Sequence, residues 1–161
     1  DKDAIVATMA LCEAAAYYKT QGKTLWDAMI EMYEQFGYYK DAIQSVTMKG
    51  IEGLQKIQEI MNSLRQNPPA EFAGHKVTAV RDYKADTITD VATGAVKPTG
   101  LPNSNVLYYE LTDDAWVCVR PSGTEPKVKF YYGVKGTSLA DADKKSEIMG
   151  KAVLDMVDSM K

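Results

Sequence analysis

The chemistry this chain offers most plainly sits in eight consecutive residues, Arg120-Pro121-Ser122-Gly123-Thr124-Glu125-Pro126-Lys127. A guanidinium able to bind oxyanions in a two-pronged way, two hydroxyls, a glycine whose amide can approach a ligand closely and an ammonium stand together between two prolines. Successive backbone N–H groups at Ser122-Gly123-Thr124 can form a concave nest for phosphate oxygens. No general base accompanies them, so the stretch reads as a binding site and not as a site of bond-breaking. An ordinary turn carrying a solvated charge explains neither the bracketing prolines nor the convergence of Arg, Ser, Gly, Thr and Lys.

Charge supports a small anionic ligand. The chain has 19 basic and 22 acidic side chains, a net −3 that argues against a nucleic-acid binder. From Arg120 to Lys135 the balance reverses: Arg120, Lys127, Lys129 and Lys135 against Glu125 alone. A basic patch on an acidic protein fits a compact anion.

Other candidate groups read as structural. His75, the only histidine, lies in a Gly74-His75-Lys76 turn without an acidic or cysteine neighbour at catalytic spacing, and is expected at the surface. Asp141 and Asp143 fall in the first turn of a helix, where acidic residues complement the macrodipole, and no metal site is expected. Cys12 and Cys118 lie far apart in apolar surroundings and read as reduced and structural. The eight methionines fall mostly on helical stripes as core filler. Tyr38-Tyr39 and Tyr108-Tyr109 are read as packing residues ahead of sugar platforms.

The elements that must position the loop follow from periodicity. Ile5, Val6, Met9, Cys12, Ala16 and Tyr17 mark a first helix ending at Gly22; Thr24 with Asp27 has the form of a capping box for a second, with Leu25, Met29, Met32, Tyr33 and Phe36 as its stripe. Tyr38-Tyr39-Lys40 reads as a hinge. A short strand at 42–48 leads to a helix with the stripe Ile51, Leu54, Ile57, Met61 and Leu64, stopped by Asn67-Pro68-Pro69. Four strands are predicted at 76–83, 105–111, 115–120 and 127–134, with Asp113-Asp114 closing a hairpin between the second and third. In the last, Val128, Phe130, Tyr132 and Val134 should face the core. The Gly- and Pro-containing segment 84–104 reads as an irregular, mobile surface excursion. Ser138, with Asp141 as box partner, starts a final helix whose stripe is Ile148, Met149, Ala152, Val153, Met156, Val157 and Met160. The expected fold is α+β: a β-α-β-β-β-β-α unit forming an antiparallel sheet with two helices on one face, preceded by two helices of an incomplete α/β domain.

At its loop the chain resembles the α-D-phosphohexomutases, whose C-terminal domain carries an RPSGTEPK phosphate-binding loop matched here at all eight positions. Asp1-Lys2-Asp3-Ala4 resembles the family's opening of the helices that close domain 3, and Gly37-Tyr38-Tyr39 its crossing into domain 4. The resemblance implies that residues 1–40 close domain 3 and that residues 41–161 form the TATA-binding-protein-like domain 4. It implies that Arg120, Ser122, Gly123 and Thr124 hold the non-transferred phosphate of a hexose phosphate, that Lys127 supports it, and that Lys2 lies near the active site. The implied reaction interconverts hexose 1-phosphate and hexose 6-phosphate through a bisphosphorylated sugar, with a phosphoserine, Mg²⁺ and glucose 1,6-bisphosphate.

The family's TASHNP-type serine loop, DGDAD-type metal loop and GEES-type sugar-reading segment are absent. We therefore expect a C-terminal piece of a phosphoglucomutase or phosphomannomutase, inactive alone, binding no cofactor itself and dependent on upstream domains of the same chain. An opening without Met, directly in a helical pattern, points the same way. The run Lys127–Tyr132 resembles phosphoglucomutases more than the phosphoglucosamine branch, which favours glucose. The alternative is a stand-alone, non-catalytic phosphate-binding or interaction module. A cytoplasmic location is expected, with no membrane and no nucleic-acid partner.

Overall fold

The computed structural model describes residues 2–48 and 50–160; the side chain of Ile51, one member of an expected stripe, lies outside the described residues. The chain divides into two compact units, Asp1–Tyr38 and Tyr39–Lys161.

The first unit is two helices, α1 (Ala4–Thr20) and α2 (Leu25–Phe36). Local caps define both. The Asp3 carboxylate accepts from the Ile5 and Val6 N–H groups, and Thr24 and Asp27 form the expected capping box. Neither helix buries a residue. Ile5, Val6, Met9 and Tyr17 of the α1 stripe are exposed, as are Met32 and Phe36 of α2. Cys12, expected in apolar cover, is exposed too. Two helices have too little surface to cover both their apolar faces.

The second unit is the predicted α+β layer pair, with more strands than the pattern indicated. Its order is β1 (Tyr38–Thr47), α3 (Gly50–Gln66), β2 (Glu71–Phe72), β3 (His75–Asp82), β4 (Thr87–Asp90), β5 (Val96–Lys97), β6 (Leu107–Leu111), β7 (Trp116–Pro121), β8 (Lys127–Gly136) and α4 (Leu139–Ser159). The main sheet runs β1-β8-β7-β6-β3-β4-β5, with β2 paired to β3. Segment 84–104 is thus not simply irregular. It adds β4 and β5 as antiparallel strands beyond β3, short enough that their alternation is lost among turn residues. Tyr38-Tyr39-Lys40, expected as a hinge, opens β1, and the division between units falls at Tyr38/Tyr39.

Both helices cover one sheet face. Val128, Phe130, Tyr132 and Val134 are buried as the alternation required, opposite Met61, Leu64, Met149 and Val153. Two stripe members fall outside this core: Leu54 and Ile148 are about half exposed. They sit at the margins of stripes whose centres, Ile60 and Gly150 included, hold the contact. Tyr109 is fully buried; its hydroxyl donates to the Leu64 carbonyl at 3.1 Å, and burial pushes its pKa up. The hairpin at Asp113-Asp114 forms, with both aspartates in the left-handed region at φ of 62° and 56°. At α4, Ser138 accepts from the Asp141 N–H, while the Asp141 carboxylate accepts from the Thr137 N–H in place of the Ser138 N–H that a capping box uses.

Candidate phosphate-binding loop

Strands β7 and β8 pair antiparallel up to Pro121, leaving Ser122–Pro126 as the connection. Their register places Arg120 directly across from Lys129, on the sheet face away from the helices. Like charges facing each other across a ladder are unfavourable. Neither has a carboxylate within salt-bridge distance among the described residues, so both are open to an external anion.

The loop is fixed at both ends. The Ser122 N–H donates to the Lys127 carbonyl at 2.8 Å, closing the hairpin, and the Met48 N–H donates to the Pro126 carbonyl at 2.9 Å. Within it, the Ser122 Oγ accepts long bonds from the Thr124 and Glu125 N–H groups, at 3.4 and 3.3 Å. Among the described residues the Gly123 N–H has no partner, and a Cβ at Gly123 would meet nothing within 4 Å. Arg120, Ser122, Gly123, Thr124, Lys129 and Tyr131 line one open hollow of about 320 Å³ with Pro121. Two cations, the Ser122, Thr124 and Tyr131 hydroxyls and the Gly123 amide along one hollow can accept a phosphate dianion.

Of the expected residues, the structure brings together Arg120, Ser122, Gly123 and Thr124. The Lys127 ammonium lies elsewhere, 2.5 Å from the Glu125 carboxylate and outside the lining of the hollow. That hydrogen bond, ahead of the Coulombic pull of Lys127, lowers the Glu125 pKa. Lys2 belongs to the first unit, exposed just before the Asp3 cap of α1.

Sequence reasoning missed Lys129 and Tyr131 as lining residues. The signal was present: counting back from the loop in hairpin register sets Lys129 against Arg120. The patch also loses Lys135, which pairs at the far end of β8 with Asp114 at 2.7 Å, close over the Tyr39 ring. Half-buried Cys118, beneath Arg120 on the same face, has its thiol pKa pushed up by burial.

The remaining candidates take structural places. His75 is mostly covered and its Nδ1 lies 3.0 Å from the Asp113 carboxylate, an acidic neighbour delivered by the β6–β7 turn and invisible in local spacing. Asp143 pairs with Lys40 at 2.9 Å. Tyr108 stacks on Trp116 and carries the Arg81 guanidinium over its ring. Among the described residues no group of three His, Cys, Asp or Glu could hold a metal ion, and no helix is long and apolar enough to cross a membrane.

Residues 60–150, more than half of the chain, match the family model described as phosphoglucomutase/phosphomannomutase, C-terminal domain. The chain belongs to that family. Its phosphoglucomutase relatives include proteins from two strains of Staphylococcus aureus: RF122/ET3-1, 37% identical over 149 residues, and MRSA252, 36% identical over the same length. In each case the match takes in 92% of this chain and 27% of the relative, so the chain spans about a quarter of the length of these phosphoglucomutases. The structure of the phosphoglucomutase pp63/parafusin from Paramecium, in its open form, matches 100% of the chain at a TM-score of 0.56, 15% identity and 28% coverage of that protein. At that identity the likeness supports the phosphoglucomutase domain fold alone.

Proposed function

We propose that this chain supplies the substrate-phosphate clamp of a phosphoglucomutase, with glucose phosphate as the substrate. The observation that carries the reading is the facing pair Arg120 and Lys129, without a carboxylate partner among the described residues, lining one hollow with Gly123. Arg120 and Lys129 take the charge of the non-reacting phosphate; Ser122, Gly123 and Thr124 orient its oxygens. Phosphoryl transfer depends on positioning and charge stabilisation, so a clamp that breaks no bond still lowers the barrier. Lys127 acts at one remove, holding Glu125 away from the anion.

The whole protein would interconvert hexose 1-phosphate and hexose 6-phosphate through glucose 1,6-bisphosphate in the cytoplasm. Its serine nucleophile would come from upstream domains, with Lys2 near the active site. Among the described residues no group of three His, Cys, Asp or Glu could hold Mg²⁺; that ion would be held by upstream domains and would stabilise the charge of the transferring phosphoryl group. Residues 1–40 and 41–161 would belong to two domains moving about the Tyr38–Tyr39 link. Tyr38 stacks on Tyr33 within the first unit, whereas Tyr39 meets Asp114 and Lys135 in the second.

Titrating glucose 6-phosphate into the chain should shift the amides of residues 122–124 in an NMR spectrum; unmoved amides at high ligand concentration would end the proposal. In the full-length enzyme, Arg120→Ala with Ser122→Ala should lower kcat/KM about tenfold or more, since hydrogen bonds to charged groups are worth about 1.5–3 kcal/mol each.

A further inference from the structure

The hairpin alone does not hold the C-terminal end of the loop. Pro126, whose carbonyl accepts the Met48 N–H, is tied through Met48 to the start of α3. Met48 packs on Gly53 by backbone: a Cβ on Gly53 would lie 2.0 Å from the Met48 carbonyl oxygen and 2.4 Å from its carbonyl carbon. Neither atom can swing aside like the end of a flexible side chain. A methyl there would force the carbonyl back by about 1.4 Å to reach an ordinary contact of 3.4 Å. On the same helix, Gly50 and Leu54 line a second hollow with Ser122, Gly123 and Thr124. The first turns of α3 therefore stand behind the loop.

We propose that Gly53 is a positioning residue for phosphate binding. The missing side chain lets Met48 sit close to α3; the Met48 N–H then fixes Pro126, and Pro126 sets where Ser122, Gly123 and Thr124 stand relative to Arg120 and Lys129. The inference rests on the phosphate-binding reading of the loop. Binding groups need placement within about 0.5 Å, and the displacement a Gly53 methyl imposes exceeds that.

The test uses the 161-residue chain, inorganic phosphate and amide NMR, with Gly136→Ala as control. A Cβ at Gly136 meets the Ala142 backbone N at 2.4 Å, an equally rigid clash at the far end of β8 from the loop. Gly53→Ala should bind phosphate at least fivefold more weakly than the unaltered chain and Gly136→Ala, with ligand-free resonances of residues 122–124 displaced. Equal affinity of the two variants overturns the inference. If Gly53→Ala does not fold, hydrogen exchange in the unaltered chain decides: saturating phosphate should slow exchange of the Met48 amide severalfold, and an unchanged rate overturns the coupling. Absence of any phosphate response at residues 122–124 of the unaltered chain overturns the clamp itself, and this inference with it.

Discussion

The two units treat their apolar residues in opposite ways. In Asp1–Tyr38 the helices are fixed by caps and bury nothing, leaving Ile5, Met9, Leu11, Trp26 and Phe36 exposed. In Tyr39–Lys161 a sheet and two helices close over Met61, Leu64, Tyr109, Phe130 and Met149, each fully buried. Local signals thus suffice to define a helix, but only layered elements complete a core. An apolar surface as extensive as that of α1 belongs against another surface.

Separating the units gives the largest expected effect. Residues 39–161 alone should unfold in one cooperative transition in urea, followed by circular dichroism. Residues 1–38 alone should lose most of their helix, because helices of 17 and 12 residues are marginal in water without packing. A stably helical, monomeric 1–38 peptide would break the comparison.

Single core substitutions sharpen it. Phe130→Ala should cost about 3–5 kcal/mol by urea denaturation, as a fully buried aromatic leaves a cavity between sheet and helices. Ile5→Ala, at 75% exposed, should stay within about 0.5 kcal/mol. Similar losses at the two sites would mean that α1 is covered in solution.

The same contrast explains what the sequence made legible. The second unit's fold class was readable because burial on one face enforces alternation: Val128, Phe130, Tyr132 and Val134 could occupy only one side of β8. Capping residues Thr24 and Ser138 were readable because their partners lie within a turn. In α1 the period marks apolar positions and not what covers them, and two helices alone leave them exposed. Leu54 and Ile148 carry the right period but sit at stripe edges. The loop residues Arg120, Ser122, Gly123 and Thr124 were legible as contiguous chemistry. Lys129 was legible as part of the basic patch, but its place opposite Arg120 depends on cross-strand register, as does the meeting of His75 with Asp113.

Two lysines of β8 carry the comparison down to single charges. Lys129 faces Arg120 without a carboxylate partner among the described residues, whereas Lys135 is paired with Asp114. Lys129→Ala should weaken phosphate binding about tenfold while leaving the melting temperature unchanged or slightly raised, because a like-charge pair is relieved. Lys135→Ala should do the reverse: unchanged binding and a slightly lower melting temperature. Equal effects on binding would deny the hollow its special role.

The smallest effect is in the response to pH. In the first unit the Thr24 hydroxyl lowers the Asp27 pKa. In the second, Thr99 lowers that of Asp86, Thr93 that of Asp90, the Lys135 hydrogen bond that of Asp114, and the Thr137 N–H that of Asp141. A carboxylate whose folded pKa lies below its ordinary 3.8 contributes fully above that value, and its contribution is lost as pH falls through the folded value. Lys135 has the opposite sign: its pKa, raised to about 12 chiefly by the Asp114 hydrogen bond, gives stability present below 10.5 and lost as pH rises toward 12. With Glu125, lowered by its Lys127 hydrogen bond, acid should therefore erode the second unit through five groups and the first through one, each weakly, because all are exposed. Asp114→Asn should flatten both the acid and the alkaline limbs of a urea-midpoint profile, whereas Asp86→Asn should flatten only the acid limb. Identical profiles for the two variants would show that the Asp114–Lys135 pair contributes nothing in solution.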